Sequence, residues 1–239
     1  APTVAGDRLL QTVAPRFKEI ETVLDSLNAL RERPAGAIRV TAGEHSAITV
    51  LQPALARLLP QYPDIKVEIV VDHGLTDIVS AGFDAGVRLG EQVAKDMVAV
   101  RIGPDLRMAV VGSPAYFRKH PVPKIPQDLT SHNCINMRLP THGAIFPWDL
   151  ERENREINVR VEGQLILNSV ALRMASVLDG LGLAYMPEDQ ALPFIRKGRL
   201  VRVLDEWCPP FSGYHLYYPS RTQASPAFAL FVEALRYRP

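Results

Sequence analysis

The chain has 239 residues, enough for one large domain or two lobes, and its apolar share of 47% provides a sizeable core. Its formal net charge is +1 and no run of Lys or Arg exceeds two residues, so the sequence lacks the basic stripe of a self-sufficient nucleic-acid-binding protein. No apolar stretch approaches the ~18 residues that a membrane-spanning helix needs, and the first residues show no secretory signal.

The first thirty-four residues predict a long helix with an apolar stripe that ends at Pro34, where the missing amide donor stops the helix. The stripe repeats at spacings of three and four residues, which is typical of a helix that packs against a partner helix. We expect this helix to dimerise; the alternative is an ordinary helix that packs on its own domain. The stripe consists of Leu10, Val13, Phe17, Ile20, Leu24 and Leu27.

Residues 38–111 alternate between strand and helix patterns. Strands are predicted at 38–43, 65–71, 85–88 and 106–111, and helices at about 48–59 and 75–80. Short connections between alternating strands and helices are typical of a parallel sheet that is covered by helices. A helix is then predicted to start at Ser113-Pro114, with serine as the N-cap.

The second half of the chain predicts another unit of the same kind. Strands are expected at 133–137, 181–186 and 214–218, and an antiparallel pair at a sheet edge around Trp148 and residues 157–161. Asn168-Ser169 is expected to cap a helix that ends at Gly180, and Ser225-Pro226 to open the last helix.

In their order and spacing, eight short phrases of this sequence resemble the LysR-type transcriptional regulators, from the linker helix of that family to its C-terminus. The phrases are residues 3–10, 34–40, 58–68, 82–88, 113–116, 126–129, 180–184 and 198–201. The family's N-terminal winged helix-turn-helix has no counterpart here, and the chain has no initiator Met. We therefore expect a fragment whose DNA contact belongs to the missing N-terminal domain.

The resemblance implies an α/β fold: two Rossmann-like lobes of the type II periplasmic-binding-protein kind, preceded by a long N-terminal linker helix. It places a linker at 1–34 and an effector-binding domain at 37–239, with lobe one at about 37–108 and 216–239 and lobe two at about 109–215. It also implies a cytoplasmic, self-associating dimer or tetramer that binds a small effector, a carboxylate in our interpretation, without a cofactor or a membrane partner.

Two predicted helix starts are the main candidates for the effector site, because open α/β sheets bind ligands at strand ends beside free helix amides. They are Glu44-His45-Ser46 in lobe one and Asn168-Ser169 in lobe two, and the resemblance implies that they face each other across a cleft. Plain helix capping by Ser46 and Ser169 is the alternative. Glu44 and His45 are unexpected beside an anion site and favour a polar effector that carries a donor.

Four more residues complete the predicted site. Arg88 ends an apolar strand, where its guanidinium would grip a carboxylate; a structural ion pair to Asp84 or Glu91 is the alternative. Asp72 ends the preceding strand and would border the same cleft, unless it only forms a turn. By resemblance, Arg138 and Thr141 face the ligand in lobe two; the alternative is a solvated loop.

Three other functions compete with this interpretation. An enzyme is disfavoured because the sequence has no nucleophile elbow, phosphate loop or zinc-helix motif, and the six histidines show no metal-ligand spacing. A solute-binding protein of a transport system would share the fold. Such a protein needs a signal peptide, however, and has no use for the predicted N-terminal helix with its apolar stripe. A thiol sensor is disfavoured because Cys134 and Cys208 are far apart in sequence and lack an obvious neighbouring cation.

Overall fold

The structure is a computed structural model that describes Thr3, Thr12, Val13, Arg16, 34–72, Gly74, 77–90, 97–138, 143–153, 155–220 and 225–239. Thr12, Val13 and Arg16 are helical. The other residues of the predicted heptad stripe lie outside the described residues, so the dimerisation helix stays a prediction. No helix in the described part of the chain is long and apolar enough to cross a membrane.

The first sheet has five strands in the order β2-β1-β3-β11-β4. Its strands are β1 (Gly36–Ala42), β2 (Ile65–Val71), β3 (Ala85–Leu89), β4 (Val98–Arg101) and β11 (Tyr214–Tyr218). β1 pairs in parallel with β2 and β3, whereas β11 runs antiparallel between β3 and β4. The late strand β11 thus returns to the sheet that the N-terminal half builds.

The second sheet has four strands in the order β10-β5-β9-β6, and a separate hairpin lies beside it. Its strands are β5 (Met108–Gly112), β6 (Cys134–Ile135), β9 (Leu183–Pro187) and β10 (Val201–Val203); the hairpin is β7 (Trp148–Arg152) and β8 (Arg155–Val159). The predicted antiparallel pair is therefore confirmed, as its own two-stranded sheet rather than as an edge of the larger one.

Six α-helices accompany the sheets in the described residues. They are α1 (Glu44–Ser46), α2 (Gln52–Leu58), α3 (Pro114–Phe117), α4 (Val170–Leu178), α5 (Glu188–Arg196) and α6 (Pro226–Leu235). A π-helical turn, Ala47–Leu51, joins α1 to α2 without a break. Short 3₁₀ helices lie at Pro126–Ser131 and Asp205–Trp207.

Each sheet has its own apolar core. The first joins Val40, Val87 and Leu216 to Phe228 and Phe231 of α6. The second sheet is covered on both faces: one face packs against Leu129 and Trp148, and the other against Val177 and Leu200. Two separate cores agree with the predicted two-lobe α/β fold.

Two chain segments cross between the sheets side by side. Leu106 and Phe211 exchange two backbone N–H to C=O hydrogen bonds, both 2.9 Å long. Gly213 lies at the same crossing, where an added Cβ would stand 1.8 Å from the carbonyl oxygen of Pro104. Only glycine allows these two backbones to approach so closely.

The structure corrects the predicted helix at 75–80. Residues 78–82 form turns, and residues 75–76 lie outside the described residues. The Asp77 carboxylate accepts the amides of Val79 and Ser80 at 3.0 and 3.3 Å and the Ser80 hydroxyl at 2.6 Å. Such local bonds compete with helix formation.

The predicted strand 133–137 is shorter than expected, since β6 spans Cys134–Ile135. Asn136 leaves the sheet to pair its backbone with Leu165 and Leu167. Two strands and one α-helix were not predicted: β4, β10 and α5. α5 contains Pro193, which argues against a helix, although Glu188 and Asp189 in its first turn are typical of a helix start.

Candidate functional site

The two predicted helix starts contact each other. Gly43 follows β1 and is the N-cap of α1, and Ser169 is the N-cap of α4. The backbone N–H of Val170, the first residue of α4, donates to Oε2 of Glu44 at 3.1 Å. A carboxylate of the first lobe therefore occupies an amide donor at a helix start of the second lobe.

His45 makes a second connection from the same turn. Its Nε2 lies 2.9 Å from both carboxylate oxygens of Asp189 in α5, and its Nδ1 lies 3.0 Å from the Tyr214 hydroxyl. Because an ionised carboxylate only accepts, Nε2 carries a proton and donates to Asp189, while Nδ1 shares a hydrogen bond with the Tyr214 hydroxyl. Burial raises the pKa of Asp189, but its hydrogen bond and charge interaction with His45, together with hydrogen bonds from backbone amides, outweigh this effect and lower that pKa below its usual value.

The two serines behave differently. The Ser169 hydroxyl accepts a hydrogen bond from the Leu172 amide at 3.4 Å. Ser169 therefore caps α4, as the capping alternative predicts. Ser46 is fully buried, and its hydroxyl donates to the carbonyl of Gly43 at 2.9 Å. The capping alternative therefore does not hold for Ser46, because Gly43 is the N-cap of that helix. Asn168 is exposed beside Ser169.

Arg88 is buried on β3, with 6% of its surface exposed. Its guanidinium donates to the carbonyls of Val87 at 2.8 Å and Gly74 at 2.5 Å and contacts the Thr41 hydroxyl at 3.4 Å. Its Nε has no hydrogen-bond partner among the described residues. Burial lowers the pKa of Arg88, and the nearby Tyr217 and Asp72 oppose that effect.

The remaining predicted residues are spread around this region. Asp72 accepts the Gly74 amide at 2.8 Å, which fixes the turn whose carbonyl binds Arg88. Arg138 is exposed and donates to the carbonyl of Gly143 at 2.5 Å. Thr141 lies outside the described residues. Contact with a ligand stays a prediction for every one of the predicted site residues.

Arg173, which lies on α4 one turn after Val170, was not among the predicted site residues. It is 6% exposed, donates to the Tyr185 carbonyl at 3.2 Å and leaves its Nε without a hydrogen-bond partner in the described structure. Burial lowers its pKa, and the charge of Glu44 opposes that effect. A charged residue on the apolar stripe of Val170, Met174 and Val177 was the available signal.

In the described part of the chain, the cysteines and the metal-ligating side chains form no comparable site. Both cysteines are buried free thiols, and burial raises the pKa of Cys134 to about 12 and that of Cys208 to about 11. Within the described ranges, no group of three His, Cys, Asp or Glu side chains is placed to hold a metal ion.

Comparisons with known proteins give the family. The model of the LysR substrate binding domain matches residues 31–238. A candidate transcriptional regulator of Pseudomonas aeruginosa is 55% identical over 237 residues, which cover 99% of this chain and 78% of that protein. The HTH-type transcriptional regulator PgrR of Escherichia coli K12 is 48% identical, with coverage of 99% and 79%.

Solved structures show the same fold. Full-length AphB of Vibrio cholerae, a virulence activator, matches with a TM-score of 0.72 at 22% identity, covering 98% of this chain and 78% of that chain. CrgA of Neisseria meningitidis matches with a TM-score of 0.69 at 20% identity and coverage of 98% and 80%. The predicted two-lobe fold is confirmed, and the relatives are transcriptional regulators, not enzymes or transport proteins. The chain belongs to the LysR-type transcriptional regulators, of which it forms the ligand-sensing regulatory part.

Proposed function

We propose that this domain senses a small anionic effector where the starts of α1 and α4 meet, and that Glu44 competes with the effector for this position. The observation that carries the proposal is the 3.1 Å hydrogen bond from the Val170 amide to the Glu44 carboxylate. A carboxylate at this amide shows what chemistry the position accepts. An effector carboxylate would take the same donor once Glu44 has turned away.

The surrounding charges favour an anion. The first amides of α4 lack partners within the helix and carry partial positive charge. Arg173 and Arg88 are both buried, and neither takes part in an ion pair that the structure describes. Because buried cations are unfavourable without a counter-charge, an anionic ligand would stabilise this region.

The contacts of Glu44 and His45 suggest how binding becomes a signal. Both residues extend from the first lobe, and their partners Val170 and Asp189 lie in the first turns of two helices of the second. An effector that replaces Glu44 exchanges one of these two connections for its own contacts. It would shift the arrangement of the lobes only as far as its affinity differs between arrangements.

In the intact cytoplasmic regulator, this shift would alter how paired DNA-binding domains are spaced. We place the linker at 1–34, lobe one at about 37–108 and 216–239, and lobe two at about 109–215. Self-association as a dimer or tetramer would connect the sensors to those DNA-binding domains.

A thermal-shift screen of small carboxylic acids tests the proposal on wild type, Glu44→Gln and Arg173→Lys. A true effector should bind Glu44→Gln roughly tenfold more tightly, because the competing acceptor is weaker, and should bind Arg173→Lys less tightly. Glu68→Gln is the matched control, since Glu68 pairs with Arg39 on an exposed edge. Acids that stabilise all four proteins equally would contradict the proposed site.

A further inference from the structure

The loops at one end of the second sheet meet on the side of the lobe that lies away from the crossing. β5 runs from Met108, close to the crossing, to Gly112. Val201, the first residue of β10, pairs with Gly112 in antiparallel register, and β9 begins at Leu183 on the other side of β5. The loops after β5 and before β9 and β10 therefore share one end of the lobe. We call it the outer end and define it as residues 113–133, 179–182 and 196–201.

Two basic pairs that lie far apart in sequence reach this outer end. Arg118-Lys119 follow α3, which begins directly after β5, and Arg196-Lys197 end α5 shortly before β10. Arg199 lies between α5 and β10, and Lys124 follows in the loop after Lys119; all of these side chains are exposed. Each pair is too short to form a basic run in the sequence, but the fold brings both pairs to one end of the lobe.

The outer end carries an excess of positive charge. It holds six of the 27 Lys and Arg residues but only two of the 26 Asp and Glu residues, Asp128 and Asp179, although the formal net charge of the chain is +1. None of the six cations forms an ion pair among the described residues, whereas Arg39, Arg101 and Arg152 each pair with a carboxylate. Unpaired like charges repel each other and do not stabilise the fold, so this excess indicates a partner of opposite charge.

Exposed apolar side chains lie among these cations. The Leu181 carbonyl accepts the side-chain amide of Asn133, whose backbone N–H donates to the Tyr116 hydroxyl at 3.1 Å. The His120 ring stacks on Tyr116 with ring centroids 4.3 Å apart, so Leu181 and the loop after α3 are neighbours. Exposed apolar residues rimmed by polar ones are typical of protein–protein contact surfaces. The outer end holds four of the nine large hydrophobic residues that are exposed in the described structure: Val122, Ile125, Leu181 and Val201.

We propose that the outer end docks an acidic segment of a partner protein, whose own apolar side chains cover Val122 and Leu181. The carboxylates of such a segment would pair with the six cations and speed its association. Duplex DNA fits less well, because a phosphate backbone would pair with the cations but leave the apolar residues uncovered. The surface is separate from the effector site, since α5 carries Asp189 in its first turn and ends at Arg196.

Fluorescence anisotropy tests this surface on the whole chain with a short labelled peptide in which Asp and Glu alternate with Leu and Phe. The peptide should bind the wild type, and Lys119→Glu with Arg199→Glu should weaken binding about tenfold, because two attractive contacts become repulsive. Arg155→Glu with Arg160→Glu is the matched control, since it makes the same change in net charge at exposed positions in and beside β8. No detectable binding to the wild type, or equal weakening by both double variants, would overturn the proposal.

Two further probes identify the class of partner. One is the same peptide with Ser in place of Leu and Phe, which keeps the charge, and the other is a DNA duplex. The original peptide should bind about three- to tenfold more tightly than the Ser peptide, because it buries apolar surface, and Val122→Ser with Leu181→Ser should remove that difference. Equal binding of the two peptides by the wild type, or tighter binding of the duplex than of the original peptide, would contradict the proposed partner.

Discussion

Nε2 of His45 lies 2.9 Å from both carboxylate oxygens of Asp189, although 144 residues separate them in sequence. The contact links the turn after β1 to the first turn of α5, and it stands beside the Glu44–Val170 hydrogen bond. Together the two contacts join the lobes at the position where the sequence predicted a ligand. The main feature of the site is therefore that side chains of the protein itself occupy the predicted ligand position.

The Asp189 contact should make stability depend on pH. The pKa of Asp189 is lowered in the folded state, so its contribution is present above its unfolded pKa of about 3.9 and is lost as the pH falls through the folded value. Because half of this side chain is exposed, the effect should stay below about 1 kcal/mol. Urea unfolding of wild type and Asp189→Asn between pH 3 and 7 measures it. A stability difference that does not shrink below pH 4 would contradict the assignment.

The crossing between the lobes should not tolerate a side chain at position 213. In Gly213→Ala, the new Cβ would meet the Pro104 carbonyl oxygen, which cannot move without breaking the crossing. We expect a loss of about 2 kcal/mol or more, at the upper part of the range for overpacking. Gly103→Ala is the control, because its Cβ would meet only ordinary contacts at 3.7 and 3.8 Å. Equal thermal stability of the two variants would show that the crossing is more open than described.

Ser169 allows capping and ligand binding to be separated. Ser169→Ala should destabilise the protein by about 1 kcal/mol, because the Leu172 amide loses its acceptor, and Ser169→Asp should restore that stability. Chemical unfolding gives both values. If Ser169→Asp also weakens an acidic effector while Ser169→Ala does not, the position borders the ligand. Full stability of Ser169→Ala would rule out the capping role.

Self-association through the N-terminal heptad stripe is a further prediction. Phe17→Glu with Leu24→Glu should place charges in the packed seam and weaken the oligomer, while the lobes stay folded. Sedimentation at tens of micromolar measures the change, and thermal unfolding of the lobes serves as the control. A wild-type monomer at that concentration would contradict the role of the stripe.

The sequence predicted those elements that depend on interactions between residues close together in the chain, and it missed strands whose partners are distant in sequence. β11 was predicted with its observed bounds, and the start of α4 was predicted from its capping serine, because both signals are local. The helix at 75–80 was wrong because the Asp77 side chain captures the amides that the helix would need. β4 and β10 are short, and they gain their pairing from strands that are distant in sequence.

The same distinction explains the site. Glu44 and His45 were identified as unusual beside an anion site, but their partners Val170 and Asp189 depend on how the two sheets are placed against each other. Local sequence patterns do not determine how the two sheets are placed against each other. Arg88 was placed correctly at its strand end, whereas its bonds to backbone carbonyls needed the turn at Gly74.

The hydrogen bond of the Val170 amide tests the central claim most directly. In protein labelled with ¹⁵N-valine, the Val170 amide proton should move upfield in Glu44→Gln, because a neutral amide oxygen accepts more weakly than a carboxylate. Titration of that variant with acetate should return the resonance downfield, as the free carboxylate takes the vacated donor. A Val170 resonance that is unchanged by Glu44→Gln, or that ignores acetate, would contradict the competition between Glu44 and an anionic effector.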